Sequence, residues 1–291
     1  MIKNKLMEKI RHVSTSFQGS IIAVAEFEKK VQIVDVLKKT VISEFETVLD
    51  FGGERLAITE SGGICICGCW ERFGICGYDT STGNMIWQRK DLKKVQKIEI
   101  IRSNNNAVFA QFANGVSRFL DIKTGNDILE LRGVKNYYES RFQPVTVYNR
   151  SGKIEITERE KHTILAKIQH QSFALLDVAF STNSVLVSEA GGPISCYDTE
   201  KGELKWRLTR NASEHYVRVG FVEDIDAYIC LSHPFEHMNK KLIYINYNTG
   251  KIENQLDINQ PIVAEFLFDD EFIVTSDREL IDVKTGKTTK W

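Results

Sequence analysis

A ten-residue segment, Tyr78 to Trp87, recurs with substitutions along the whole chain and limits what the chain can fold into. Its sequence is Tyr-Asp-Thr-Ser-Thr-Gly-Asn-Met-Ile-Trp, which has the form of a β-strand, a tight turn and a second strand. In the turn, the Asp or Asn side chain bonds its own backbone, and the Gly supplies a positive φ that a Cβ would resist. Four further clear copies are Leu120–Asn126, Tyr197–Trp206, Ile245–Lys251 and Ile281–Lys287.

Two weaker copies, Val34–Lys39 and Ile156–Lys161, bring the number of repeats to seven. The residues at the Asp position are Asp35, Asp79, Asp121, Thr157, Asp198, Asn246 and Asp282. Successive positions are therefore separated by 44, 42, 36, 41, 48 and 36 residues. A period near 40 is typical of propeller blades.

The fifth repeat shows how one unit is built. Its short apolar runs predict strands at 174–180, 184–188, 194–198 and 203–208, separated by Gly, Asn, Ser and Pro. Four strands per unit predict an all-β, seven-bladed β-propeller with four antiparallel strands per blade. Six or eight blades are the nearest alternatives, and a sandwich, barrel or solenoid explains the constant turn motif less well.

The repeat runs nearly end to end, so we expect a single propeller domain over 1–291, with Met1 to Arg11 as an N-terminal arm. No segment has the apolar length of a signal peptide or a membrane span, which predicts a cytoplasmic protein without membrane contact. The chain has 38 basic and 39 acidic residues. This balance lacks the basic excess of a nucleic-acid-binding protein, and the local basic group around Lys93 and Lys94 is interpreted as a solvated loop.

Cys65, Cys67 and Cys69 alternate and are followed by Cys76, a pattern that raises the question of a metal site. On a strand, Cys65 and Cys69 lie about 13 Å apart, at about 3.3 Å per residue. Three thiolates at about 2.3 Å from one zinc ion cannot be reached from such positions. We therefore expect small apolar side chains packed between blades, with free thiols, although a Cys69–Cys76 disulfide is geometrically allowed.

No catalytic arrangement is recognisable in the chain. None of the six His residues lies in a metalloprotease motif or beside a nucleophile elbow. His233 and His237 are four residues apart, but in an inter-strand loop, where a metal site is not expected. The sequence therefore predicts a protein that is not an enzyme and that holds no cofactor or metal.

The Asp-x-x-Thr-Gly-x-x-x-Trp pattern resembles the repeat of quinoprotein-type propellers. Asp79, Thr82, Gly83 and Trp87 fit the full pattern, and the Asp198 copy fits with Lys in place of Thr. The resemblance implies that Trp87 and Trp206 dock against the next blade. It does not extend to the family's enzymes, which carry adjacent cysteines near the cofactor, or to its assembly lipoprotein, since the N-terminus has no apolar segment and no Cys.

A propeller presents its loops on two faces. We call the face with the Asp turns and the first-to-second-strand turns the turn face, and the face with the second-to-third-strand loops and the blade connections the connection face. Irregular, aromatic-rich segments are predicted on the connection face, with the composition of a protein interface. The candidate partner-binding residues are Trp70, Glu71, Arg72, Phe73, Tyr137, Tyr138, Arg210, His215, Tyr216, His233, Phe235, Glu236, His237 and Met238.

The function predicted from these features is binding of a protein partner, because a rigid ring holds many loops in one plane. The chain resembles small single-domain propellers that act as immunity proteins, which implies a bacterial toxin domain as the partner and a monomer apart from it. One alternative is an assembly or regulatory scaffold for another partner. The other is a small-ligand-binding or enzymatic propeller, which would need polar side chains of the innermost strands to converge on the central channel.

Overall fold

The computed structural model describes residues 12–15, 20–25, 29–49, 55–70, 73–150, 153–159, 163–169, 175–190, 192–209, 214–234, 240–259, 262–267, 271–275 and 277–291. These residues form 28 strands in seven four-stranded sheets. Each sheet consists of four consecutive strands, and every neighbouring pair in it is antiparallel. The seven-bladed propeller predicted from the repeat is confirmed, with sheets 1 to 7 as its blades. The predicted arm, 1–11, lies outside the described residues.

The strands of each blade are given in chain order. Blade 1 contains β1 (His12–Thr15), β2 (Ile21–Ala25), β3 (Lys30–Asp35) and β4 (Thr40–Glu46); blade 2 contains β5 (Arg55–Ile58), β6 (Ile64–Gly68), β7 (Ile75–Asp79) and β8 (Met85–Arg89); blade 3 contains β9 (Val95–Ile100), β10 (Ala107–Phe112), β11 (Val116–Asp121) and β12 (Asp127–Arg132); blade 4 contains β13 (Val134–Glu139), β14 (Val145–Arg150), β15 (Lys153–Glu158) and β16 (Ile164–Gln169). Blade 5 contains β17 (Leu175–Phe180), β18 (Ser184–Glu189), β19 (Ile194–Asp198) and β20 (Leu204–Leu208); blade 6 contains β21 (Glu214–Val222), β22 (Ala227–Pro234), β23 (Lys240–Asn246) and β24 (Ile252–Ile258); blade 7 contains β25 (Ile262–Leu267), β26 (Phe272–Thr275), β27 (Glu279–Asp282) and β28 (Thr288–Lys290). A 3₁₀ turn, Glu223–Ile225, joins β21 to β22.

The Asp turns have nearly identical geometry wherever the motif is complete. In blade 2, Asp79 Oδ1 accepts hydrogen bonds from the backbone N–H groups of Ser81 at 3.0 Å and Thr82 at 2.9 Å. The N–H of Gly83 donates to the Asp79 carbonyl at 2.8 Å, with a φ of 71° at the glycine. The turns that begin at Asp121, Asp198, Asn246 and Asp282 repeat these contacts, with glycine φ values of 69° to 70°.

The prediction for blade 4 is wrong by one residue. In the other complete turns, the residue at the Asp position donates its N–H to the carbonyl five residues later, as Asp79 does to Asn84 at 3.0 Å. In blade 4 this bond joins Glu158 to Thr163 at 2.8 Å, so Glu158 and not Thr157 takes the Asp position. In the complete turns, Gly stands four residues after the Asp position. The blade 4 turn has no Gly there, so the position of the turn could not be determined from the sequence.

Among the described residues, the core consists of seven apolar clusters, and each lies between two neighbouring blades. Trp87 of blade 2 belongs to the cluster shared with blade 3, where its Nε1–H donates to the Ile122 carbonyl at 2.7 Å. Trp206 of blade 5 donates in the same way to the Tyr247 carbonyl of blade 6 at 2.9 Å. The docking of both Trp side chains against the next blade is confirmed.

Blades without the Trp make the same junction with other side chains. A Cβ at Gly286 of blade 7 would stand 2.7 Å from the Leu256 side chain of blade 6, and one at Gly83 would stand 2.8 Å from Phe45 of blade 1. At the blade 6–7 junction, the Tyr244 hydroxyl donates to the Val283 carbonyl. Leu256 and Tyr244 together replace the two contacts that a Trp supplies.

The cysteines pack as predicted. Cys65, Cys67, Cys69 and Cys76 are buried in the cluster between blades 1 and 2, and all are free thiols. The strand register pairs Cys76 with Cys67, so the Cys69–Cys76 disulfide is not formed. Burial, first among several causes, raises the pKa of the Cys76 thiol to about 12, which keeps it protonated and unreactive at neutral pH.

Blades 1 and 7 meet through side chains. Among the described residues, neither sheet contains a strand from the other end of the chain. The cluster between them joins Val13, Val24 and Val34 to Val274 and Leu280. In addition, the Arg278 guanidinium donates to Gln32 Oε1 at 3.1 Å. We call this junction the seam. Among the described residues, no helix is long and apolar enough to cross a membrane.

Candidate functional site

The structure describes the side chains of four candidate partner-binding residues: Trp70, Phe73, Tyr137 and Tyr138. For three others it gives only the strand position: His215 and Tyr216 lie in β21, and His233 lies near the end of β22. The remaining candidates, Glu71, Arg72, Arg210, Phe235, Glu236, His237 and Met238, lie outside the described residues.

The prediction that Tyr137 and Tyr138 lie on a loop is wrong. Both belong to β13, the first strand of blade 4, and their exposed fractions are 4% and 7%. The Tyr137 ring packs between blades, with ring centroids 5.5 Å from Phe109 and 5.2 Å from Tyr148. In the sequence, the two Tyr residues are flanked by Lys, Asn and Glu, which is typical of an exposed segment. In the structure, the alternation of β13 places one ring on each face of the sheet, and both faces are buried there.

Trp70 lies on the connection face, in the loop between β6 and β7, with 42% of its surface exposed. The backbone around it is fixed by hydrogen bonds. Lys94 N donates to the Trp70 carbonyl at 2.9 Å, and Cys69 N donates to the Gly74 carbonyl at 3.0 Å. The Gln88 side chain donates to the Phe73 carbonyl at 3.1 Å. This Trp70 loop, residues 69–74, therefore presents an aromatic ring from a constrained backbone in its described part.

The blade 2–3 connection lies beside this loop and adds positive charge. Lys90, Lys93 and Lys94 are exposed there, and Lys94 is bonded directly to the loop backbone. Asp91, the acidic residue within the connection, is held by Arg89 in a salt bridge of 2.7 Å. The local basic group that the sequence analysis interpreted as solvated thus borders an exposed tryptophan, an arrangement that suits an acidic surface with an apolar pocket.

A second polar group lies on the innermost strands of blades 3 to 6. We call Lys97, Glu99, Tyr138, Asp177 and Arg218 the channel cluster, because the first strand of each blade borders the central channel. Lys97 Nζ lies 2.7 Å from Glu99 Oε2 and 3.9 Å from the centroid of the Tyr138 ring. Arg218 lies 3.8 Å from Asp177 Oδ1, while Asp177 Oδ2 accepts the Val219 N–H at 3.0 Å.

The electrostatics of the channel cluster follow from its depth. Burial raises the pKa of Asp177 above the ordinary 3.8, against the opposing effects of Arg218 and the Val219 N–H. Burial also raises the pKa of Tyr138 to about 12, with Lys97 acting against the shift. For Lys97, burial favours the neutral amine, but Glu99 and the other acidic neighbours outweigh it and raise the pKa. Both lysine and tyrosine therefore keep their ordinary charges at neutral pH.

This cluster was not predicted from the sequence, although its residues interrupt the pattern of the strands. Asp177 interrupts the apolar run from Leu175 to Phe180, and Lys97 and Glu99 alternate with apolar residues in the segment from Val95 to Ile100. In a propeller, charged residues in the middle of a first strand border the channel. In the sequence of that strand alone, they cannot be distinguished from the usual alternation of polar and apolar residues. Among the described residues, no group of His, Cys, Asp and Glu is arranged to hold a metal ion.

Comparisons with known proteins bear on the fold alone. No protein-family model matches the chain, and no curated protein sequence matches it. Among solved structures, the chain is similar to the β-propeller domain of Cps50 (Swd1) from Myceliophteria thermophila, with a TM-score of 0.70 and 12% identity. The match covers 97% of this chain and 95% of the Cps50 domain. The architecture is therefore shared along nearly the full length, while the identity is too low to carry a function across.

Proposed function

We propose that the protein is a non-catalytic binding propeller that engages a protein partner through its connection face, with the Trp70 loop at the centre of the contact. Propellers are a common scaffold for protein interaction. The observation that supports this face is a tryptophan with 42% exposure on a loop whose backbone is already bonded at Cys69, Trp70 and Phe73. An aromatic side chain on a loop with a constrained backbone requires little backbone ordering on binding, which is a property of an interface hot spot.

The lysines beside the loop define the chemistry of the partner. Lys93 and Lys94 place positive charge next to the Trp70 ring, so the complementary surface is acidic around an apolar pocket. Charges at the rim mainly raise the association rate, and their effect weakens with salt. The expected complex therefore forms more slowly at high ionic strength, while the tryptophan determines its lifetime.

The most specific form of the proposal is a cytoplasmic immunity protein, monomeric apart from its partner, that binds and blocks a bacterial toxin domain. It is motivated by the resemblance to small quinoprotein-type propellers of that kind. A scaffold for a harmless partner remains the alternative within the same binding class. The two differ in what the partner does when the propeller is absent.

The test is affinity capture from the native host with three tagged proteins: the wild type, a Lys93→Glu/Lys94→Glu variant and a Lys123→Glu control. Lys123 is an exposed lysine of the Asp121 turn, on the opposite face. We expect the wild type and the control to retain one stoichiometric partner and the double variant to lose it. Loss by the control alone, or equal capture by all three, would place the contact elsewhere.

The captured partner is then expressed with and without the propeller. Cell death that only the propeller prevents supports the immunity function, and normal growth in both cases supports the scaffold. A purified complex whose Kd is unchanged by Trp70→Ala contradicts the proposed centre of the interface. We expect that substitution to weaken binding by roughly 30-fold, which corresponds to about 2 kcal/mol for a hot spot.

A further inference from the structure

The hairpin loop between β10 and β11 holds the only Asn-Gly pair in the sequence, Asn114 and Gly115. Gly115 N donates to the Phe112 carbonyl at 3.2 Å, and the glycine has a φ of 80°. These are the features of a three-residue hairpin loop, in which a turn is followed by a residue in the left-handed conformation. Asn114 is exposed in this loop, so water reaches its side-chain amide.

The backbone that follows Asn114 orients and polarises its side-chain amide. Val116 N donates to Asn114 Oδ1 at 3.1 Å. If a nucleophile attacks the Cγ atom, negative charge develops on Oδ1, and an N–H group already aimed at that oxygen stabilises the charge. The nitrogen that lies next in the chain, Gly115 N, is the nucleophile that this arrangement suits.

Gly115 presents little obstacle to such an attack. It has no side chain, and a Cβ built on it would have nothing within 4 Å. Its N–H bond to the Phe112 carbonyl has a length of 3.2 Å, at the long end of the range for such bonds. Freeing the nitrogen therefore costs one long hydrogen bond of the turn.

We propose that Asn114 is a site of spontaneous deamidation. Gly115 N gives up its proton and attacks Asn114 Cγ, the bond from Cγ to Nδ2 breaks, and ammonia leaves with the proton. The product is a cyclic succinimide. Water then opens the ring at one of its two carbonyls, which yields aspartate or its isomer with the chain through the side-chain carbon, isoaspartate. Both products carry a carboxylate where the protein had a neutral amide, and the reaction consumes only water.

The new charge arises beside the basic part of the connection face. Ala113 N donates to the Lys94 carbonyl at 3.0 Å, and Lys94 N donates to the Trp70 carbonyl at 2.9 Å. Two backbone hydrogen bonds thus connect the Asn-Gly loop to the Trp70 loop through Lys94. A carboxylate at residue 114 opposes the positive charge that Lys93 and Lys94 offer to an acidic partner. This consequence rests on the proposed protein-binding function, whereas the deamidation itself does not.

Asn104 provides a matched comparison within the same chain. It is also exposed, and its Oδ1 accepts the N–H of Asn106 at 3.1 Å. The residue that follows it is Asn105 and not glycine. A difference in rate between Asn114 and Asn104 therefore measures the effect of the glycine beside the same hydrogen bond.

The test is incubation of the purified full chain at mildly alkaline pH, followed by peptide mass mapping. We expect Asn114 to lose its amide at least about 10-fold faster than Asn104, which corresponds to about 1.4 kcal/mol in activation free energy. The reaction should slow at mildly acidic pH, because Gly115 N must lose its proton.

The same chain unfolded in urea gives the rate of the Asn-Gly sequence without the fold. An Asn114 that reacts in urea but keeps its amide in the folded chain would mean that the turn protects it, and this result overturns the proposal. A folded-state rate equal to that of Asn104 also overturns it.

Two variants test the effect on the partner captured with the wild type. Asn114→Asp carries the charge of the product, and Asn114→Gln keeps a neutral amide. We expect Asn114→Asp to weaken the complex by about 2–5-fold, the range for one exposed charge, with a smaller effect at high salt. Asn114→Gln should bind as the wild type does. Equal binding of Asn114→Asp and the wild type overturns the effect of the new charge.

The two proposals fail in different ways. Deamidation is measured on the protein alone, so its result does not depend on any partner. An unchanged Kd in Trp70→Ala contradicts the proposed interface and leaves the amide loss at Asn114 as it is. An intact amide at Asn114 contradicts the modification and leaves the role of Trp70 as it is.

Discussion

The indole ring of Trp87 occupies the space in which a side chain at Gly125 would lie. A Cβ built on Gly125 would stand 2.6 Å from the Cδ2 atom of the indole, and the glycine has a φ of 70°. Residue 125 must therefore be glycine for two separate reasons, one in its own backbone and one in the neighbouring blade. The same pair recurs at Trp206 and Gly250, where the corresponding distance is 2.5 Å.

Gly125→Ala should lower the free energy of unfolding by about 2–5 kcal/mol. About 1–2 kcal/mol comes from a side chain in the left-handed region, and about 1–3 kcal/mol from overpacking against Trp87. The matched control is Gly115→Ala, because Gly115 has a φ of 80° with nothing within 4 Å of the added Cβ. Urea unfolding measures both variants. Equal losses would show that the contact with Trp87 contributes nothing.

Tyr244→Phe tests the substitute for a tryptophan at the blade 6–7 junction. It removes the hydroxyl that donates to the Val283 carbonyl, and that carbonyl lies in a buried cluster. We expect a loss of about 1–3 kcal/mol, the cost of an unsatisfied buried acceptor. Thermal and urea unfolding give the value, and an unchanged stability would mean that the Val283 carbonyl finds another donor.

Lys39→Gly should raise the free energy of unfolding by about 0.5–1 kcal/mol. Lys39 has a φ of 56° at the position of blade 1 where the complete motifs have glycine. Relief of about 1–2 kcal/mol of strain exceeds the extra entropy of glycine in the unfolded chain. Lys123→Gly serves as the control, since this exposed turn residue has no positive φ and should lose stability. Destabilisation by Lys39→Gly would contradict the strain.

Asp177 should give the fold a characteristic pH dependence. Burial raises its folded pKa above 3.8, so its favourable contribution is complete below that pH and is lost as the pH rises through the folded value. Asp177→Asn lacks the titration. We expect the stability of the wild type relative to this variant to fall as the pH rises above 3.8, as followed by urea unfolding. A constant difference, or one that grows with pH, would contradict a raised pKa.

The fold was predictable because one turn specifies it repeatedly. Asp and Gly at fixed spacing determine a local backbone geometry that needs no tertiary contact, and the register then follows for the whole blade. Where the glycine is missing, as in the turn after Glu158, the predicted position of the turn was wrong by one residue. Lys39 is the opposite case. Its backbone has the positive φ of the complete turns, although the residue at this position is not glycine.

The candidate site was less predictable because it depends on which strands become neighbours. Tyr138 looks like a loop aromatic until β13 is seen to be an inner strand with Lys97 of another blade above its ring. Lys97 and Arg218 are 121 residues apart in the chain, so no local pattern joins them. Trp70 was found because a loop between two strands of one blade is a local feature.

At the seam, the first and last blades of the ring are joined by side-chain contacts and not by the covalent chain. Six of its junctions are also joined by the covalent chain, but the seventh is held by the side chains around Val13 and Val274 and by the Arg278–Gln32 bond. Within the described part of the chain, tension applied across the two ends is therefore borne by these side-chain contacts. The ring should part there first, with each blade still intact, so the strength of a single side-chain cluster sets the force at which the channel becomes open from the side.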